Sequence, residues 1–447
     1  MATLGPSAED FLNDARFHRT FTLPADPSHG RPRPFTIKYA DYGYHNNNHN
    51  TAHPEEEEEE QEKAERVLLF FSPLMGSRLL HICKDALARR HRIRIINPDR
   101  PGIGGTDAAP AGDRLALWRD ALPALLAHLH IRHLHAVAAH SGGTVYALDF
   151  VLHHPEFLLL PPPSGPGPGI GPSQQRLATT VLALGAPWIL PAHSGSLPLS
   201  LAQNLLPAAA VRQADKLAAF VNNHLGPAVG SSIGFAARLM PNRRQQQPQQ
   251  CQEQGQDGAN LDDERALGGR RPEQRGVVVD DGVRFEEKIV WPALMRRVYD
   301  EGVAGLGEDA VLFLQKAQGA RAGTGAGDGT GAGPPGGWGD WGDYDTLVVR
   351  LREVIRREGR RLRVRVYYAE KDVVVRDGGT ESDGARWFDK CWTEGAGSGD
   401  AERDVIDYRS RTVDGADHDH VWDLRWGVVQ EVFADVGQVA EEGSGSG

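Results

Sequence analysis

The chain has 447 residues, enough for two or three ordinary domains or for one large domain with long insertions. Its 49 Lys and Arg residues against 60 Asp and Glu residues give a net charge of -11, which excludes a basic surface for nucleic acid or an anionic membrane. Three scattered cysteines, Cys83, Cys251 and Cys391, form neither a disulfide framework nor a cysteine zinc site, so a reducing compartment is expected.

Short apolar runs alternate with helical patterns along the chain, which is typical of βα units with a parallel sheet. Two early runs, 17–23 and 35–41, predict an antiparallel pair of strands. Later runs rich in β-branched and other apolar residues predict strands covered on both faces: 66–71, 93–97, 134–139, 179–185, 362–368 and 405–413. Helical patterns cover 79–90, 114–130, 143–153 and 421–435. The sequence predicts a mostly parallel twisted sheet flanked by helices.

Long polar insertions interrupt this pattern and account for the low mean hydropathy of -0.43. Segments 45–65, 161–172, 242–281 and 320–339 are too poor in apolar residues to form a core, and we expect loops there. Strand patterns are absent between 191 and 360, where amphipathic helical stretches predict a cap over the carboxyl edge of the sheet. The predicted organisation is one α/β core from 1–190 and 361–436, a helical cap at 191–360 and a flexible tail at 437–447.

The strongest local motif is the run from Ala139 through His140, Ser141 and Gly142 to Gly143, which follows a predicted strand and opens a helix. A nucleophile on a sharp turn from strand to helix needs small neighbours, because a larger side chain would clash with the folded-back backbone. The helix N-terminus then directs positive charge towards developing negative charge. A serine at such a turn is also a common helix N-cap, and this interpretation stands beside the catalytic one.

This motif and its place in the chain resemble those of the α/β-hydrolase superfamily, in the branch with an inserted helical cap. Ala139 stands where the family usually has glycine, and His154, Pro155 and Glu156 resemble the end of the family's nucleophile helix. The resemblance covers most of the chain apart from the insertions. It implies an α/β-hydrolase fold with Ser141 as the nucleophile.

The run 71–77 follows the first parallel strand and resembles the oxyanion-hole loop of the family, with Ser72 and Pro73 in place of the usual His-Gly pair. The resemblance implies oxyanion donors at the backbone N–H groups of Leu74 and Gly142. Pro73 has no N–H and a fixed φ, so this departure bears on the position of the loop.

The run 99–106 follows the second parallel strand and resembles a supporting Asp-x-x-Gly-x-Gly loop of the family. Its glycines do not open a helix after the first strand, as a dinucleotide-binding fingerprint requires. We interpret this loop as structural support.

The resemblance also implies an acid and a histidine later in the chain, in the order Ser, Asp, His. Asp372 lies on a turn after the strand 362–368 and is the predicted acid, with Glu370 and Asp377 as alternatives. His418 lies on the turn before the last helix and is the predicted general base, with His420 as the alternative.

These residues predict a serine hydrolase that cleaves a carboxylic ester of small or medium size, without cofactor or metal. Amide, thioester and carbon–carbon bond cleavage and acyl transfer stay open, since fold and triad serve many reactions. A serine nucleophile disfavours the epoxide-hydrolase and dehalogenase branches. A non-catalytic ligand-binding protein on the same fold is the second hypothesis, motivated by Ser72, Pro73 and the insertions.

The sequence predicts a small-molecule acyl substrate and no nucleic-acid partner, and leaves the oligomeric state open. It begins without a basic and apolar leader and has no uninterrupted apolar run of about 18 residues, so we expect a cytoplasmic protein without stable membrane insertion. Aromatic residues flanking the cap are expected to pack its core, with an acyl pocket as the alternative: Trp188, Trp291, Trp338, Trp341 and Tyr344.

Overall fold

The computed structural model describes residues 7–29, 31–45, 65–159, 179–213, 281–316, 338–374, 383–394 and 405–444. Within these ranges the strands are β1 (Arg19–Leu23), β2 (Phe35–Gly43), β3 (Arg66–Phe71), β4 (Ile93–Pro98), β5 (Ala136–His140), β6 (Thr180–Gly185), β7 (Leu362–Ala369) and β8 (Ile406–Val413). They form one sheet in the order β1-β2-β4-β3-β5-β6-β7-β8. Strand β2 is antiparallel to β1 and β4, and the other neighbours are parallel. The predicted fold class is confirmed.

The direction of the strand order reverses at β3, which has β4 on one side and β5 on the other. Parallel sheets bind ligands at such a point, outside the carboxyl ends of the strands. Phe71 at the end of β3 pairs with Ala139 near the end of β5. The loop that begins at Ser72 and the turn at Ser141 therefore lie side by side.

Helices cover both faces of the sheet. They are α1 (Ala8–Leu12), α2 (Asp85–Arg90), α3 (Arg114–His128), α4 (Gly143–His153), α5 (Pro191–Ser194), α6 (Leu197–Leu205), α7 (Ala208–Val211), α8 (Asp281–Arg284), α9 (Trp291–Asp300), α10 (Leu306–Phe313), α11 (Tyr344–Arg357), α12 (Asp383–Thr393) and α13 (Val428–Ser444), with one π-helical segment at Phe285–Val290. Buried side chains of α3, α4, α11 and α12 form the core on one face, and those of α2 and α13 on the other. None of the helices in the described ranges is both long and apolar enough to cross a membrane.

The last helix departs from the sequence pattern at both ends. It begins at Val428 and not near 421, because Gly427 at φ 74° and the turn before it interrupt the helical backbone. It continues to Ser444, through most of the segment predicted as a flexible tail. Val436 and, within that segment, Val439 are fully buried and continue the apolar face of the helix.

The segment predicted as a cap contains two kinds of helix. Helix α10 lies over the loops that follow the strands, where the N–H of Gly305 donates to the carbonyl of Gly102 at 2.8 Å and the ring of Phe313 contacts Gly142. Helix α11 instead packs against α4 and α12, in the layer that covers the sheet. The four low-complexity segments lie outside the described residues apart from their ends.

Candidate active site

Ser141 follows the last residue of β5 on a strained turn. Its φ is 50°, a left-handed conformation that few non-glycine residues adopt. Its N–H donates to the carbonyl of Gly185 at 3.0 Å, and its carbonyl accepts from the N–H of Trp188 at 3.2 Å. A Cβ at Gly143 would lie 2.3 Å from the carbonyl oxygen of Phe71, so this position must be glycine. Strain of this kind, held by the surrounding hydrogen bonds, is typical of functional sites.

The structure brings Ser141, His418 and Asp372 together. The Ser141 hydroxyl lies 2.7 Å from His418 Nε2, and His418 Nδ1 lies 2.7 Å from Asp372 Oδ2. The residues are 4%, 1% and 5% exposed, respectively. With Nδ1 protonated, His418 donates to the carboxylate and accepts from the serine hydroxyl, which is the arrangement that activates a serine nucleophile.

The alternative residues lie in other contacts. The carboxylate of Glu370 accepts from the N–H of Gly415 at 2.7 Å. The Nδ1 of His420 lies 2.6 Å from Asp417. Burial by itself lowers the pKa of His420. The hydrogen bond and charge of Asp417, with the charges of the neighbouring carboxylates, outweigh burial and raise this pKa to about 9. His420 is therefore a cation near neutral pH and has no free lone pair for a base. The remaining alternative, Asp377, lies outside the described residues.

Two neighbours determine the state of His418. Burial by itself lowers the pKa of its imidazole, and the charge and hydrogen bond of Asp372 outweigh burial and raise that pKa above its ordinary value. His140 lies beside it, with Nε2 2.7 Å from the carbonyl oxygen of His418. Burial lowers the pKa of His140 to about 3, so its ring is neutral and donates this hydrogen bond. This hydrogen bond fixes the backbone carbonyl of His418, the predicted general base.

The loop after β3 is fixed from several sides. The Ser72 hydroxyl donates to the carbonyl of Ser77 at 3.0 Å. The guanidinium of Arg100 donates to the carbonyl of Ser72 and, at 2.9 Å, to that of Leu74. Among the described residues, the backbone N–H groups of Leu74 and Gly142 have no acceptor. Both N–H groups, the predicted oxyanion donors, are therefore free to bind an acceptor from a ligand.

Aromatic side chains border the site on the side of α10. The ring of Phe313 lies against Gly142, where an added Cβ would approach it to 2.2 Å. The indole N–H of Trp188 donates to the carbonyl of Phe313 at 3.1 Å and links α10 to the loop after β6. Trp338, Trp341 and Tyr344 instead lie in the core beside α4, as the packing interpretation expects.

The supporting loop at 99–106 is built around a buried ion pair. Asp99 accepts from the side chain of Arg78 at 2.5 Å and also from its backbone N–H. Arg78 donates further to the carbonyl of Gly104 at 3.0 Å. A Cβ at Gly104 would lie 2.0 Å from the carboxylate of Asp99, which explains the glycine.

Sequence reasoning did not identify four residues next to the site: His140, Arg100, Asp309 and Phe313. His140 lies within the nucleophile motif, but the motif places no requirement on its identity. Arg100 was visible only as part of a supporting loop. Asp309 and Phe313 lie on α10, more than 160 residues from Ser141 in sequence, and no local pattern distinguishes them.

The described residues contain no cluster of three or more His, Cys, Asp or Glu side chains arranged to hold a metal ion.

No protein-family model and no curated protein sequence matches the chain. Solved structures do match it. A carboxylesterase from Nitrososphaera gargenis is 13% identical with a TM-score of 0.43, over 93% of this chain and 100% of that one. An esterase from Thermogutta terrifontis is 12% identical with a TM-score of 0.46, over 94% and 99%.

A proline iminopeptidase from Mycobacterium smegmatis is 15% identical with a TM-score of 0.42, over 94% of this chain and 99% of that one. The fold is assigned from the chain's own strand order, with Ser141 on the turn between β5 and α4. The chain has the α/β-hydrolase fold.

Proposed function

We propose that the protein is a serine hydrolase that cleaves a carboxylic ester of a small or medium-sized molecule. The observation that carries this proposal is the pair of 2.7 Å contacts that joins Ser141 to His418 and His418 to Asp372. Three residues from three separate loops meet in the order that nucleophilic catalysis requires. The free N–H groups of Leu74 and Gly142 beside them supply the donors for an oxyanion.

In the first half-reaction, the Ser141 oxygen attacks the acyl carbon while His418 Nε2 takes its proton. The carbonyl electron pair moves to oxygen, which the N–H groups of Leu74 and Gly142 stabilise. Asp372 stabilises the imidazolium. The ester C–O bond then breaks, and His418 donates its proton to the leaving alkoxide. An alcohol departs and an acyl-serine ester remains.

In the second half-reaction, a water molecule replaces the alcohol. His418 takes one proton from the water as its oxygen attacks the acyl carbon, and the oxyanion forms in the same place. The bond from the acyl carbon to Ser141 breaks, and the serine oxygen recovers the proton from His418. The products are a carboxylic acid and the free enzyme.

The surroundings of the site support a small, partly apolar acyl group. Ser141 is 4% exposed, so little of it is open to bulk solvent. Phe313 and Trp188 present aromatic rings on the side of the cap. Apolar walls with a few directed polar groups are typical of small-molecule sites.

Turnover of p-nitrophenyl esters with acyl chains of two to twelve carbons tests this proposal. We expect the wild type to release p-nitrophenol, with Ser141→Ala and His418→Ala slower by about 10⁴-fold or more. Ser410→Ala is the matched control, because it removes a partly buried hydroxyl that binds Asp389 at 3.1 Å, away from the site. Equal turnover by wild type and Ser141→Ala, or none by folded wild type, would favour the non-catalytic binding protein.

A further inference from the structure

A buried charge cluster joins the cap to the core of the protein. Asp309, on α10, is fully buried. One of its carboxylate oxygens accepts from Arg114 Nη1 at 2.6 Å and from the hydroxyl of Tyr146 at 2.7 Å. The other accepts from Arg100 Nε at 2.8 Å. One cap residue therefore contacts the loop after β4, the start of α3 and the nucleophile helix α4.

Arg100 links the cluster to the oxyanion loop. Its Nε faces Asp309, while Nη1 and Nη2 donate to the carbonyls of Ser72 and Leu74. These carbonyls belong to the segment that presents the N–H of Leu74. The planar guanidinium fork fixes the carboxylate and the two carbonyls relative to each other, which a single ammonium group does not do.

The opposite charges in this cluster hold Asp309 of α10 against Arg100 and Arg114. Burial alone raises the pKa of Asp309, but the guanidinium groups of Arg114 and Arg100 outweigh burial and keep that pKa below its ordinary value. The carboxylate therefore stays ionised at neutral pH. Removal of one partner from a buried pair leaves an uncompensated charge, so withdrawal of α10 from the core is strongly disfavoured.

We propose that Asp309 is a positioning residue that, through Arg100, fixes the oxyanion loop for catalysis. This inference rests on the proposed function, in which Leu74 stabilises the oxyanion. The same helix ends at Phe313, whose ring lies against Gly142. Helix α10 thus constrains the surroundings of both oxyanion donors, one through Arg100 and the other by direct packing.

Arg100 and Arg114 offer a matched pair of variants. Each loses a buried guanidinium that pairs with Asp309, but only Arg100 contacts the oxyanion loop. Arg114 Nε instead donates to the carbonyl of Ala109 at 3.1 Å. We would compare Arg100→Gln and Arg114→Gln with Asp309→Asn, and include Arg100→Lys, which retains the charge beside Asp309 in case the Gln variant does not fold.

Two kinds of measurement report how these substitutions affect the order of the oxyanion loop and the stabilisation of the transition state. Hydrogen–deuterium exchange of the peptide that covers residues 72–77 reports how tightly the loop is held, independently of activity. Steady-state kinetics with a p-nitrophenyl ester, and inhibition by an alkyl trifluoromethyl ketone that forms an oxyanion with Ser141, report transition-state stabilisation.

For Arg100→Gln, Arg100→Lys and Asp309→Asn we expect faster exchange in the loop. We also expect kcat to fall by about 10- to 100-fold with KM within about threefold, and the ketone to bind more weakly in proportion to kcat. Arg114→Gln is expected to unfold more easily, with loop exchange unchanged and kcat within about threefold of the wild type.

Unchanged loop exchange in the Arg100 and Asp309 variants would overturn the inference. An equal fall in kcat for Arg114→Gln would also overturn it, because the cluster would then act only through general stability. If the wild type shows no turnover that depends on Ser141, the proposed function has failed, and loop exchange alone decides whether Asp309 and Arg100 hold the loop.

Discussion

Substitution of Gly143 by alanine tests how tightly the nucleophile turn is packed. The added Cβ would lie 2.3 Å from the carbonyl oxygen of Phe71, and ordinary contact begins at 3.4 Å. Because the obstacle is the backbone of β3, the turn that carries Ser141 must move by about 1 Å. A displacement of this size costs about 10²-fold in rate. Overpacking of this kind also lowers the free energy of unfolding by about 1–3 kcal/mol.

The measurements are urea denaturation and kcat/KM for a p-nitrophenyl ester. Gly437→Ala is the control, since it also replaces a helical glycine, but its Cβ has ordinary contact at 3.5 Å with Arg66. We expect this control to be fully active and, because alanine favours helix, more stable by about 0.5–1 kcal/mol. Full activity and stability of Gly143→Ala would refute the reasoning about the turn.

Three further predictions concern the site. The neutral form of His418 is the active base and exists above its pKa, so the acidic limb of kcat/KM in the wild type should have a midpoint above 6.5, the ordinary pKa of histidine. In Asp372→Asn, kcat should fall by about 10⁴-fold, and the limb should move to lower pH because the carboxylate that raises the pKa is gone. Gly142→Ala should lower kcat/KM through its clash with Phe313, and Phe313→Ala should restore part of that loss in the double variant.

Different results would contradict each of these predictions. If the acidic limb of the wild-type kcat/KM profile lay well below pH 6.5, Asp372 would not raise the pKa of His418. If the acidic limb of the kcat/KM profile lay at higher pH in Asp372→Asn than in the wild type, Asp372 would lower and not raise the pKa of His418. Additive effects of the Gly142 and Phe313 substitutions would show that the two side chains do not interact.

The centre of the sheet was predictable because β3, β5 and β6 are apolar on both faces and helices separate β3 to β5 in sequence. This pattern follows from burial between two layers of helices, which is a local property of each strand. The start of the last helix was harder to predict. Apolar residues such as Val421 and Trp422 continue the helical pattern, but they are buried in the turn that precedes Gly427.

The proposed nucleophile, Ser141, is visible in the sequence because its turn demands small residues at fixed positions. The register of the turn favours His418 over His420 as the proposed base, and in the structure Asp417 binds His420 at 2.6 Å. The contact of Asp309 with Arg100 joins residues 209 positions apart. No periodicity relates such residues, so only the folded chain reveals them.

The central claim is that Ser141 is an activated nucleophile, and covalent labelling tests it most directly. The wild type, Ser141→Ala and His418→Ala would be treated with a fluorophosphonate probe, and the modified peptide would be identified by mass spectrometry. We predict rapid labelling of the wild type on Ser141, none at this position in Ser141→Ala, and labelling slower by several orders of magnitude in His418→Ala. Folded wild type that resists the probe, or that is labelled equally fast without His418, would contradict the claim.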